Sequence, residues 1–218
     1  MDFANLIDPT GAAIVLGGTI IATVLRTGRQ EWRATAHVLA RLTRPRFSYA
    51  RTRAEIAPQV EGIRNDGVLR ARPAPSNDRE IAEATGALIH HRSVTALIEA
   101  HDRHRQARQQ QRADALQLLH QAGELAPVFG LAGTLVALSQ LAATGLDRTG
   151  LLAAVGTAVL TTLYGLVTAH VLIYPVARLI ERRGAHEESE RERLIDWLSE
   201  QLRDAIPGKS GGSRMRAA

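Results

Sequence analysis

Few side chains in this 218-residue chain stand where they could do acid–base or metal chemistry, and the informative ones are threonines. His101-x-x-His104 has the spacing at which two imidazoles share a helix face, as a zinc site requires. Arg103 and Arg105 flank the pair, and neither a carboxylate nor a third histidine is convincingly placed to complete a ligand set, so it reads as a solvated helix face. His90 and His91 are adjacent and point in different directions. The chain has no cysteine, which removes disulfides and thiolate metal sites. No Gly-x-x-x-x-Gly-Lys phosphate loop and no Gly-x-Ser-x-Gly elbow is present, so the chain is read as neither hydrolase nor kinase, not an enzyme, and without a cofactor. His170 is different, because it falls inside an apolar run, where an ionisable group is a functional candidate by default. It is read as a neutral imidazole hydrogen-bonded to a neighbouring helix, with a titrating role as the alternative. Thr134, Thr161 and Thr162 also lie in apolar runs. Their hydroxyls can orient water or coordinate a cation but cannot store a proton near neutral pH.

The elements that must position these threonines are membrane helices. Mean hydropathy of -0.10 and 22% charged residues resemble a soluble protein, but charge and apolar residues are segregated along the chain. About 20 apolar residues are needed to cross a hydrocarbon core. Residues 124–146 and 151–177 meet that length, with no Asp, Glu, Lys or Arg from Leu125 to Leu146 or from Leu151 to Ala177, and a short turn, 147–150, joins them. A third apolar stretch lies in residues 1–26, with Asp8 and Pro9 near its start. Its acidic n-region argues for a retained anchor rather than a signal peptide. Arginines set the orientation. Arg26, Arg29, Arg33, Arg41 and Arg44 follow the first span, Arg103, Arg105, Arg108 and Arg112 precede the second, and Arg178, Arg182 and Arg183 follow the third. The turn has only Arg148, offset by Asp147. The expected architecture is an all-α integral membrane protein of the bacterial inner membrane. It has a periplasmic N-terminus and hairpin turn, a helical cytoplasmic region at 27–123, and a cytoplasmic C-terminus at 178–218. Net charge is +5 and almost all the base is arginine, yet aromatics are 4% and no basic helix with interleaved aromatics appears. Membrane lipid, not nucleic acid, is the partner this implies.

In the loop, residues 30–44 place Trp32, Ala36, Leu39 and Leu42 at helical spacing. Residues 52–64 predict a short helix interrupted at Pro58, and 66–77 a loop. Asn77 or Asp78 then caps a helix through Ile81, Ala84, Leu88 and Ile89. Residues 93–124 predict a long polar helix running into the second span. Leu194, Leu198, Leu202 and Ile206 stripe a C-terminal helix that ends at Pro207, ahead of a tail expected to be disordered.

Small residues recur on one face of each hairpin helix. Ala154, Ala158, Thr161, Gly165 and Ala169 do so in one, and Gly130, Gly133, Thr134 and Ala137 in the other. Such faces let helices approach closely. Packing alone does not call for Thr134, Thr161 and Thr162 together, but spacing does not separate a packing ridge from a polar pore lining.

These same stretches resemble the MotA/TolQ/ExbB ion-channel subunits of membrane motors. Pro127-Val-Phe-Gly-Leu-Ala-Gly-Thr134-Leu is similar to the family's P-x-F-G-L-x-G-T-L. Thr161-Thr162-Leu-Tyr-Gly165-Leu with Pro175-Val-Ala is similar to the T-T-L-Y-G-L…P-x-A of the flagellar stator branch, and Asp8-Pro9…Ile14-Val-Leu-Gly17-Gly18-Thr19 to its D-P…I-V-x-G-G-T. The N-terminal likeness is to the second of that branch's four spans, so the first is expected to be absent, giving the three-span layout of the TolQ/ExbB branch. The resemblance implies a homopentamer around single-span MotB/TolR/ExbD-like partner helices that bring the ion-binding Asp. Thr134 and Thr162 would ring the pore, with Thr161 beside them. Pro127 and Pro175 would couple passage of H+ or Na+ to movement, and Gly130, Gly133, Ala158 and Gly165 would pack the helices. The alternative is a non-conducting membrane scaffold.

Overall fold

The structure, a computed structural model, describes residues 8–66, 78–144 and 148–203, and within them every regular element is helical. The helices are α1 (Pro9–Arg26), α2 (Arg29–Leu42), α3 (Tyr49–Asp66), α4 (Arg79–His91), α5 (Val94–Thr144), α6 (Arg148–Val167) and α7 (Tyr174–Arg203). A π-helical turn, Thr168–Ile173, joins α6 to α7. Three stretches are long and apolar enough to cross a membrane: Pro9–Arg26, Val94–Gln140 and Thr149–Arg203. Only 11% of the most apolar window of the last is buried within the protomer, so most of its surface requires lipid or other subunits. Of the predicted loop at 66–77, Asp66 instead ends α3 and 67–77 lie outside the described residues, as does the chain after 203. Helix α6 already includes Arg148, so residues 148–150 are helical rather than part of the predicted turn.

The chain divides into two units. The first draws on Met1–Thr43 and Gln111–Arg182, the second on Arg44–Gln110 and Arg183–Ala218. In the first, Asp8 caps α1 by accepting from the Thr10 amide at 3.0 Å, and Pro9 follows where its missing N–H costs nothing. Gly11, Val15, Thr19 and Thr23 form the buried stripe of α1. Thr19 and Thr23 donate to the carbonyls four residues back, at 2.6 and 2.7 Å, which makes burial of their hydroxyls inexpensive. In α2 the buried face is Ala34, Thr35 and Val38. Val38 packs with Ala115 and Ile180, and Leu42 joins them. The predicted stripe is therefore displaced: Trp32, Ala36 and Leu39 are exposed. Periodicity found an apolar face on α2, but α2 has a wide apolar arc and packing chose the other side of it.

In the second unit Ile56, Val60 and Ile63 of α3, Ile81, Ala84 and Leu88 of α4, Leu97 and Ala100 of α5, and Leu194, Leu198 and Leu202 of α7 close one core. Helix α3 runs through Pro58 without interruption. Its apolar residues fall on both sides of the proline, so burying them as one helix offsets the lost hydrogen bond. Asp78 caps α4, accepting from the Glu80 and Ile81 amides at 3.0 and 3.3 Å. Around the core, Arg108 pairs with Glu188 at 2.8 Å and with Glu80, and Arg191 pairs with Asp78 at 2.6 Å.

Two histidines depart from the sequence reading. His104 bonds Glu83 at 2.9 Å, whereas His101 is 6% exposed and its Nε2 has no hydrogen-bond partner. His101 is thus a core residue and not part of a solvated face. Burial holds its pKa below the ordinary 6.5; Glu188 and Asp102 pull it up, and Arg105 and Arg191 push it down. The folded chain therefore prefers the neutral imidazole. His101 contributes full stability above the unfolded value. As pH falls below about 6.5, the unfolded chain takes the proton first and stability is lost until the folded imidazole also titrates. In a Trp32→Phe background, the unfolding midpoint reported by Trp197, which packs on this core, should fall between about pH 7 and about pH 5.5. His101→Met, which cannot titrate, should show a smaller fall, and an equal fall in both proteins would refute the assignment to His101.

Candidate functional site

The site is built where α5 and α6 run antiparallel at contact distance. Glycine makes that approach possible. A Cβ on Gly165 would meet the Ala126 carbonyl oxygen at 2.6 Å and the Gly130 and Pro127 Cα atoms at 3.1 Å. One on Gly133 would meet Thr161 Cβ at 2.8 Å. Gly130, Gly133 and Ala137 of α5, and Thr161 and Gly165 of α6, are buried in this seam, while Ala158 is half-buried at its edge.

Thr161 belongs to the packing and not to an open surface. It is fully buried, and its Cγ2 also meets the position a Cβ on Gly11 would occupy, so three helices converge on it. Thr134 and Thr162 are each one residue further along and are half-buried. One residue is a rotation of about 100°. Because the helices run in opposite directions, that step turns both threonines to the same side of the hairpin. The opposite side is covered by α1: Gly18 meets the Phe129 ring, and the Asp8 amide donates to the Tyr164 hydroxyl at 2.8 Å. Thr134 and Thr162 therefore share the face that α1 leaves uncovered.

Their hydroxyl hydrogens are already committed. Thr134 donates to the Leu131 carbonyl at 2.6 Å, and Thr161 and Thr162 donate to the Ala158 carbonyl at 2.9 and 3.2 Å. What Thr134 and Thr162 present outward is oxygen lone pairs. Such a surface accepts from water, from a hydronium or from a protonated carboxyl, and can ligate a cation, but it has no free proton to give to a carboxylate.

Asp8 is a residue the sequence reading left outside the site. Its amide meets Tyr164, its Oδ2 is shut from solvent with no hydrogen-bond partner among the described residues, and it lies beside Gly11 and Thr161. Thr161 is about 20 Å along α6 from Arg148. This carboxylate thus sits beside an otherwise charge-free hairpin, but on the α1 side, away from Thr134 and Thr162. The signal for it was the Asp-Pro cap; what the sequence lacked was the register of α1 against α6.

Below the seam, Pro127 is half-buried inside α5 and Pro175 is exposed at the start of α7. In the π-helical turn the Tyr174 amide pairs five residues back, with the Ala169 carbonyl. His170 is exposed, and its Nδ1 lies 3.1 Å from the Leu166 carbonyl of its own helix. Among the described residues this bond is to its own helix rather than to the neighbouring helix that was predicted. Its ring meets Tyr174 edge-on at 5.4 Å in a cleft of about 740 Å³ that His120, Arg178 and Glu181 also line. No cluster among the described residues is arranged to hold a metal ion.

The sequence of the family described as the MotA/TolQ/ExbB proton channel family matches residues 76–193, more than half of the chain. The chain belongs to this family. It is thereby placed among membrane ion-channel proteins rather than in an enzyme class. Motility protein A of Bacillus subtilis (strain 168) is 23% identical over 214 residues, covering 95% of this chain and 78% of that protein. Chemotaxis protein PomA of Vibrio alginolyticus is 22% identical over 197 residues, covering 88% and 76%. Motility protein A of Borreliella burgdorferi is 31% identical over 93 residues, a stretch that covers 39% of this chain and 36% of that protein. The fold is that of a subunit in the flagellar MotAB stator complex from Bacillus subtilis, with a TM-score of 0.79 at 24% identity over 92% of this chain and 81% of that one.

The seam generates a steric test. Gly165→Ala should force α5 and α6 apart, at a cost of about 1–3 kcal/mol, and lower the unfolding midpoint of the protein in detergent. Gly156 has nothing within 4 Å of an added Cβ, so Gly156→Ala should leave that midpoint unchanged or raise it. Equal effects from both would refute the close approach.

Proposed function

We propose that this chain is the ring-forming subunit of an ion-driven motor in the bacterial inner membrane, with the N-terminus periplasmic and the C-terminus cytoplasmic. The observation that carries the reading is the shared, α1-free face of Thr134 and Thr162, polar by lone pairs alone. A bare ion in hydrocarbon is very costly, so a path needs a titratable or coordinating group at depth. The threonines coordinate but do not store protons. Asp8 lies on the other side of the hairpin, so it does not serve this face. A single-span partner helix of the MotB/TolR/ExbD kind supplies the missing carboxylate, and five copies of this chain surround it. In this reading protonation of the partner's carboxyl lets it bind the threonine oxygens as a donor, and release to the cytoplasm returns it to the charged state that they do not hold. Pro127 and Pro175 lie where α5 and α7 bend most easily, and they transmit the step. Each charge crossing 100 mV makes about 2.3 kcal/mol available, enough for one modest conformational change.

The reading is tested in vesicles holding the chain and its co-purified partner, with proton and sodium flux followed in parallel. The double variant Thr134→Val with Thr162→Val should abolish flux of the conducted ion, on the order of 100-fold, while the complex still co-purifies. Thr161→Val should lower stability, because it alters the seam, and should reduce flux far less. Undiminished flux in the double variant refutes the pore assignment. Absence of flux from the unmodified complex leaves the non-conducting scaffold as the function.

A further inference from the structure

Helix α2 presents two apolar surfaces, and only one is used within the protein. Ala34, Thr35 and Val38 are buried, and Val38 and Leu42 pack with Leu116, Leu119, Val176 and Ile180. On the arc next to this face, Trp32 and Leu39 remain 37% and 38% exposed, with Ala36 between them. Arg29 and Arg33 border that arc, both exposed. The position of α2 is fixed by connectivity. The apolar stretch of α1 ends at Arg26, and only Thr27 and Gly28 separate it from Arg29. Two residues reach about 7 Å, so Arg29 begins α2 at the membrane boundary. The residues it packs on also flank the ends of the two hairpin spans.

We propose that the Trp32–Ala36–Leu39 face of α2 docks on anionic phospholipid of the leaflet at which α1 ends. A tryptophan with an apolar body and an N–H donor suits the headgroup boundary. An apolar stripe edged by arginines suits a leaflet that is apolar below and negatively charged at its surface. The occupant is lipid rather than another protein surface because the stripe begins where a membrane span ends and carries its base at the edge. This inference rests on membrane insertion alone and not on ion conduction, so it stands or falls apart from the motor reading.

The test uses the full chain in vesicles. Trp32 and Trp197 are the only two tryptophans, so Trp197→Phe leaves Trp32 as the single reporter. Vesicles contain brominated phosphatidylglycerol or brominated phosphatidylcholine, with iodide added in a parallel arm. Trp32 should be quenched by the brominated lipids and shielded from iodide, with brominated phosphatidylglycerol the stronger quencher. Arg29→Gln with Arg33→Gln should reduce the phosphatidylglycerol preference by about fivefold per arginine. Quenching by iodide alone overturns the proposal, since the face is then in water. Protection from iodide and from both lipids overturns it too, since another protein surface then covers the face. Equal quenching by the two brominated lipids overturns the assignment to anionic lipid. If Trp197→Phe does not fold, Leu39→Cys in this cysteine-free chain carries a nitroxide, and its accessibility to oxygen against an aqueous nickel chelate reads the same outcomes.

Discussion

Backbone-to-backbone approach between α5 and α6 is the constraint on which the rest depends. Lipid tails are as apolar as leucine, so no hydrophobic force draws two spans together inside a membrane. What remains is dispersion, and it requires contact. The Gly165 Cα reaches the Ala126 carbonyl and the Gly130 Cα so closely that a methyl group does not fit. That proximity has a functional consequence. A seam this tight encloses no passage between α5 and α6, and α1 closes one flank through Phe129 and Tyr164. Any ion path must run along the outside of the protomer, against another copy or another chain. In the proposed function, assembly is therefore a steric requirement of conduction.

The threonines show how small a difference separates packing from chemistry. Thr161 and Thr162 share an acceptor, the Ala158 carbonyl, and differ by one residue in sequence. Thr161 fills the junction of three helices, and Thr162 faces outward with Thr134. In all of them the hydroxyl proton is spent on the backbone, as it is in Thr19 and Thr23 of α1. That solves the burial problem for Thr161 and defines the chemistry of Thr162. Oxygen lone pairs without a free donor distinguish a protonated carboxyl from an ionised one, which is the property the proposed mechanism uses.

Much of this was legible in the sequence because it depends on period and segregation. Charge-free runs marked the spans, small residues at intervals of three and four marked a face that reads as packing ridge or pore lining, and Asn77 or Asp78 marked a cap that Asp78 makes. What was not legible depends on rotation and register. Periodicity groups residues on a face but does not say which face meets which neighbour: Trp32, Ala36, Leu39 and Leu42 stood at helical spacing, yet only Leu42 of these packs with Val38 in the core. Thr161 could not be separated from Thr162 without knowing which of them Gly133 faces. Asp8 read only as the start of the first apolar stretch, because its place beside Thr161 depends on how α1 slides along α6. Pro58 read as a break because local propensity does not register apolar residues on both sides of it.

The same close packing that makes the hairpin rigid leaves it two places to bend. Pro127 removes a backbone donor from α5, and Pro175 removes one from α7 just after a turn in which pairing has already shifted to five residues. Elsewhere in these helices a sharp bend breaks an intact hydrogen bond, at a net cost of about 1 kcal/mol and more if the groups stay unpaired in lipid. At the prolines that bond does not exist. A driving step of about 2.3 kcal/mol per charge per 100 mV is comparable with a few such bonds, so where the helix yields decides whether the step moves the protein or is dissipated. Helices α5 and α7 each give residues to both units, and Pro127 and Pro175 fall in the parts that belong to the first. In the proposed mechanism, motion generated at the threonine face would enter α5 and α7 at these prolines, where they resist bending least.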